Sequence, residues 1–181
     1  MDGAVNGLWQ DGIGLSKPVN RATSLRNFIK MLLVADGLLS EDCTTSAAMQ
    51  AVTQTVCQPG SGWIQTAAQL QSNLLAQGFL LLNASLVFRP DVAPIQDARA
   101  WLPFLRTILQ VLADQHAVDA RTKLPSTSLI LWGKIAEKIL ELPEASHFIS
   151  RISEHPYNLS FINNLEMQNF FRPLQLLKVA A

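Results

Sequence analysis

From Thr23 onward, apolar residues recur at helical spacing. Leu25, Phe28, Ile29, Leu32 and Leu33 share one face of a first predicted helix. Thr23 or Ser24 can cap it, because a short side-chain oxygen accepts a bond from an otherwise orphaned first-turn amide. Gly37 ends it, since glycine takes the left-handed C-terminal conformation without a Cβ clash. Ala48, Met49, Val52 and Val56 predict a second helix from 44–46 to Gln58, stopped by Pro59-Gly60. Trp63, Ala67, Leu70 and Leu74 predict a third from Gly62 to Gln77, broken by Gly78. Pro94 suits the first turn of a fourth. Its stripe of Ile95, Ala98, Leu102, Leu105, Leu109 and Leu112 runs toward His116. Pro103 lies inside that stripe, so a kink or two abutting helices are expected. Leu129, Leu131, Trp132, Ile135, Ile139 and Leu140 read as a fifth helix opened by Ser126 or Thr127. Pro143 separates it from a shorter helix around Glu144 to Ser153. Phe161, Leu165, Phe170 and Leu174 line a last helix capped near Asn158 or Ser160 and limited by Pro173.

Two stretches escape this pattern. Residues 1–22 hold Gly3, Gly7, Gly12, Gly14 and Pro18 and read as an extended N-terminal arm, pinned by Leu8 and Trp9. The apolar run 79–88 is open between a buried helical turn and a short strand pair, because periodicity cannot assign so short a run. No repeat and no linker breaks the remainder. The expected architecture is all-α: residues 23–181 as a single helical domain, an irregular bundle of six to eight helices, with one short strand pair near 79–88 left open.

Composition sharpens this picture. The 181 residues are 49% hydrophobic but only 15% charged, and 14 Lys and Arg balance 14 Asp and Glu. Zero net charge supplies no bulk attraction to nucleic acid or anionic lipid, and low charge favours surfaces that a partner covers. From residue 43 to residue 88 no charged residue and no histidine occurs. Gln50, Gln54 and Gln58 follow one another at single-turn spacing, as do Gln65 and Gln69, so these helices present neutral, hydrogen-bonding faces. Such a segment is either central in the fold, where an unpaired charge costs several kcal/mol or more, or an interface core, where charge is also depleted. A membrane-surface role is disfavoured, since interfacial helices carry a basic polar face. No run is long and apolar enough to span a bilayer. The N-terminus lacks the apolar core of a signal peptide, so a cytoplasmic location is expected.

No local signature of catalysis stands out. His116, His147 and His155 show no metal-ligand spacing, and Cys43 and Cys57 read as reduced small hydrophobes. His116 reads as a helix C-terminal cation. Pro59-Gly60-Ser61-Gly62 is glycine-rich but lacks the lysine of a phosphate loop, and reads as a turn. No Gly-x-Ser-x-Gly elbow is present. Glu137 and Glu141 interleave with Lys134 and Lys138 as a solvated helix face. No catalytic, cofactor-binding or metal residue is assigned, and no cofactor is expected.

The function expected from these features is a non-catalytic helical protein–protein interaction module, such as an adaptor, a chaperone-like factor or a complex subunit. A protein partner or self-association would engage Gln50, Gln54, Gln65 and Gln69 and the apolar tail residues Phe170, Phe171, Leu174 and Leu177. An alternative is a nucleic-acid-associated accessory protein using Arg21, Arg26 and Lys30. A third is an enzyme with a dispersed site that includes His116 or His155, since a triad assembled from distant residues leaves no local mark.

Overall fold

The computed structural model describes residues 7–41, 44–83, 87, 89–122 and 127–179, the side chains of 116–122 excepted. The chain divides into two compact units, one of residues 1–80 with 155–181 and the other of residues 81–154.

The first unit is built around α2 (Thr23–Ala35), whose buried residues run from Asn27 to Ala35 and omit only Lys30. It packs against α1 (Lys17–Arg21), α7 (Leu165–Phe171) and the 3-10 helix Leu159–Asn163. Phe28 of α2 meets Phe171 of α7 edge-on at 5.3 Å, and Phe79 stacks on Phe171 at 5.7 Å. Gly37 ends α2 at φ 76°, as its place after the apolar stripe predicts. Where an extended arm is expected over 1–22, the described residues form a hairpin of β1 (Trp9–Gln10) and β2 (Gly14–Leu15), followed by α1. Gly14 is required there. Its φ is +135°, and a Cβ would sit 3.1 Å from Cβ of Met49 on α3 (Ser46–Val56).

The third predicted helix starts late. Residues 63–66 are not helical, and α4 spans Ala67–Ala76, opened by a reciprocal capping box between Thr66 and Gln69. The piece before α4 is used by the C-terminal tail: Ile64 N–H donates to Leu177 O and Val179 N–H to Gly62 O. Asn73 of α4 donates to the carbonyls of Leu176 and Lys178 at 2.8 and 2.7 Å. The tail is therefore held as an edge pairing rather than as a continuation of the last helix.

The second unit overturns the all-α expectation. Residues 128–140, read as a helix, open with strand β3 (Ser128–Trp132), and residues 144–153, read as a short helix, end in strand β4 (Ile149–Ser153). The strands pair in parallel, with Ser128 opposite Ile149 and Trp132 opposite Ser153. A parallel pair needs a crossover connection. Here α6 (Lys134–Glu137) and two 3-10 turns, Lys138–Glu141 and Pro143–His147, supply it. Gly133, at φ 84°, turns the chain out of β3. Leu109 and Ala113 of α5 (Pro94–Thr122) cluster with Phe148, and Leu129 packs against them. Arg106 of α5 bonds the Glu144 carboxylate and thereby holds its pKa below the usual range. Pro103 lies within one continuous α5 rather than between two helices. β3 reads as a nearly unbroken apolar run, whose period is hidden from a helix-seeking pattern, and in β4 the two isoleucines stand three apart, a spacing that also fits a helix. Residues 79–83 and 87 have no regular structure, and the rest of the run 79–88 lies outside the described residues.

Candidate active-site loop

The most organised exposed chemistry in the first unit is the loop His155–Ser160, which leads into the 3-10 helix Leu159–Asn163. Phe161 and Ile162, both buried, anchor that helix against α2. A turn closes by donation from Asn158 N–H to His155 O at 2.9 Å. Within it Pro156 is buried, while His155, Tyr157, Asn158, Leu159 and Ser160 are exposed. Tyr157 and Leu159, at 67% and 69%, are the most exposed large apolar side chains among the described residues.

The loop fixes its own histidine. Tyr157 N–H donates to Nδ1 of His155 at 3.1 Å. A ring nitrogen that accepts carries no proton, so the neutral imidazole keeps its proton on Nε2. His155 therefore offers an N–H donor from an exposed, geometrically defined position.

Beneath the loop lies Asn27 of α2, with no exposed surface. Its carboxamide nitrogen donates to Pro156 O at 2.7 Å and lies 3.3 and 3.4 Å from the carbonyls of Tyr157 and Asn158. Arg26 Nε donates to the Asn27 oxygen at 3.3 Å, and its Nη1 to Asn20 O at 2.9 Å. Pattern reading misses Asn27, yet a signal exists. It stands one turn before Met31 and two before Val34, so it is a polar residue on a face the helix buries.

The residues singled out from sequence are distributed otherwise. Gln50 and Gln54 are exposed on α3. Gln65 donates its amide to the carbonyls of Val56 and Trp63, both at 2.8 Å, and Gln69 uses its side-chain oxygen to cap α4. Phe171 and Leu177 are buried in the first unit, and Phe170 and Leu174 are half-buried. Of the three cations, Arg21 is exposed, Arg26 serves the loop, and Lys30 donates to Thr44 O at 2.9 Å. Burial lowers the Lys30 pKa, and the charge of Arg26 lowers it further. His147 is exposed at the end of the Pro143–His147 turn. The side chain of His116 and the whole of Cys43 lie outside the described residues, and Cys57 is a free thiol. Among the described residues no His, Cys, Asp and Glu group clusters as metal ligands, and no helix is long and apolar enough to cross a membrane.

An α/β protein with an exposed, pre-oriented histidine loop is the class that fold and loop define, and comparison with known proteins gives it a direction. No family model matches the sequence. A uracil-DNA glycosylase of Phocaeicola vulgatus is 33% identical over 87 residues, covering 48% of this chain and 36% of that protein. One of Schizosaccharomyces pombe is 34% identical over 85 residues, covering 46% of this chain and 24% of that protein. The crystal structure of wild-type UNG from Nitratifractor salsuginis superposes at a TM-score of 0.78 with 34% identity, over 99% of this chain and 66% of that one. The structure of a point mutant of the same UNG superposes at 0.79. The matched stretch thus spans about a third or less of the length of the two curated relatives.

These likenesses overturn the reading of the chain as a non-catalytic adaptor, chaperone-like factor or complex subunit, and with it the expectation that the chain is no enzyme. The proteins it resembles are DNA glycosylases, and the fold it shares with UNG is not a helical bundle. The physical reason for the miss is that the short loop His155–Ser160 reads by itself as an ordinary connection, and the residue that organises it comes from far away in the chain. Asn27 and the loop it supports meet across 129 or more positions of sequence.

Proposed function

We propose that this chain carries uracil-DNA glycosylase chemistry, hydrolysing the bond between uracil and deoxyribose in DNA. The observation that carries the proposal is the superposition on UNG over 99% of the chain at 34% identity. The His155 loop supports it chemically. When the C1′–N1 bond breaks, the bonding electron pair leaves with the pyrimidine, and the negative charge spreads onto its carbonyl oxygens. Water delivers hydroxyl to C1′, and the proton it gives up neutralises the departing uracil anion, directly or through solvent. A donor fixed where charge develops stabilises that transition state more than the ground state, and the Nε2–H of His155 is such a donor.

The exposed Tyr157 and Leu159 fit the same reading. An enzyme acting on a base must take it out of the stack, and apolar side chains inserted between base steps favour that unstacking. DNA is accordingly the proposed partner.

The test is excision of uracil from end-labelled single-stranded and duplex oligonucleotides carrying one dU, with dT and dC controls, followed by alkaline cleavage. Excision confined to the dU strand is expected. His155→Ala should slow the single-turnover rate by about 100-fold or more, the usual loss when an oxyanion donor is removed. A folded chain that leaves dU intact overturns the proposal.

A further inference from the structure

A side-chain amide with no exposed surface is costly unless its two donors and its acceptor are met. Asn27 meets them in a particular direction. Its nitrogen faces three successive carbonyls, of Pro156, Tyr157 and Asn158, at 2.7, 3.3 and 3.4 Å. Carbonyl oxygens only accept, so the nitrogen and not the oxygen must point at the loop. Arg26 holds the amide oxygen at the other end, which excludes the flipped orientation. Three consecutive carbonyls gathered on one donor repel one another if that donor is absent. The turn that gathers them is the turn that brings Tyr157 N–H to Nδ1 of His155 at 3.1 Å. Pro156, at the centre of the closest contact, has no N–H of its own with which to brace the turn.

We propose that Asn27 is the positioning residue of the His155 loop: from inside the first unit its amide holds the turn that selects the Nε2–H form of the imidazole and presents Tyr157 and Leu159 to solvent. This rests on the reading of His155 as the donor of a glycosylase site. Asn27 itself touches no substrate. Its contribution runs through the geometry of the loop, and a misplacement of about 1 Å in a catalytic group can cost about 100-fold in rate.

Two kinds of measurement test it. On the isotope-labelled wild-type chain, long-range proton–nitrogen correlation of His155 should show the Nε2–H tautomer. The side-chain amide protons of Asn27 should exchange at least about 10-fold more slowly than those of exposed asparagines. Asn27→Leu keeps the volume and loses the donors; Asn27→Asp keeps the shape and puts an acceptor where donors are needed. Both should slow single-turnover excision about 10- to 100-fold and mix the His155 tautomers. Folded variants with wild-type excision rates and an unchanged tautomer overturn the proposal. If the variants do not fold, the wild-type exchange decides: slow exchange supports the clamp and fast exchange overturns it. If the wild-type chain excises no uracil, the glycosylase reading fails by itself, while tautomer and exchange still decide whether Asn27 holds the loop.

Discussion

Asp36 occupies the C-terminal cap of α2, where the helix dipole disfavours a negative charge. Burial raises its pKa from 3.8 to about 6, with Lys178 and Arg172 pulling the other way, and its Oδ2 is buried with no hydrogen-bond partner among the described residues. The native state therefore keeps this proton up to about pH 6, whereas the unfolded chain releases it near 3.8. Between those values the native state binds more protons, so stability falls as pH rises. Because the group is partly open to water, the penalty above pH 6 is discounted to about 1 kcal/mol. Asp36→Asn should raise stability at pH 7 by about that amount and flatten the decline between pH 4 and 6, as urea titrations across this range would show. Gly14 gives a second expectation at this scale. A Cβ there meets Met49 at 3.1 Å on a backbone at φ +135°, so Gly14→Ala should cost about 1–3 kcal/mol in the same titration. His155 was legible as a candidate because histidines are few. Asn27 was not, because only burial separates a structural amide from a solvated one.

Helices whose packing follows their own periodicity were readable. α2 and α3 lie where their apolar stripes place them, and α5 follows its stripe and continues past its predicted end. Elements that depend on a neighbour were not. β3 and β4 carry apolar residues that also fit a helix, and their pairing in parallel register decided the outcome. The α4 cap is a local device with a measurable share of stability. Thr66→Ala removes the oxygen that accepts from Gln69 N–H and should destabilise by about 1 kcal/mol, visible as a lower urea midpoint at unchanged slope. The tail is held at longer range. Asn73→Leu removes both donors to Leu176 and Lys178. The amides of Ile64 and Val179, which pair across that edge, should then exchange roughly 10-fold faster by mass spectrometry, as local opening predicts.

For the molecule as a whole, balanced charge sets an expectation about DNA. With 14 cations against 14 anions, and with Arg26, Lys30, Arg89, Arg106, Lys138 and Arg172 held in intramolecular bonds, the pool of cations able to displace counterions is reduced. The affinity of the chain for a dU duplex should fall by about tenfold between 50 and 200 mM salt, against about 1,000-fold or more for proteins making many phosphate contacts. Fluorescence anisotropy across a salt series would measure the slope, and a steep one would reveal a basic surface that the charge balance conceals. The sequence by itself determined the helices α2 and α3 and the first part of α5, the turn at Gly37 and the absence of bulk charge, because each depends on residues within a turn or two of one another. Only the tertiary structure decided the parallel pairing of β3 with β4, the docking of the tail along residues 62–64 and the closure of Asn27 on Pro156. Each of these joins backbone groups far apart in the chain, and a hydrogen bond between distant residues leaves no periodic trace in the residues that make it.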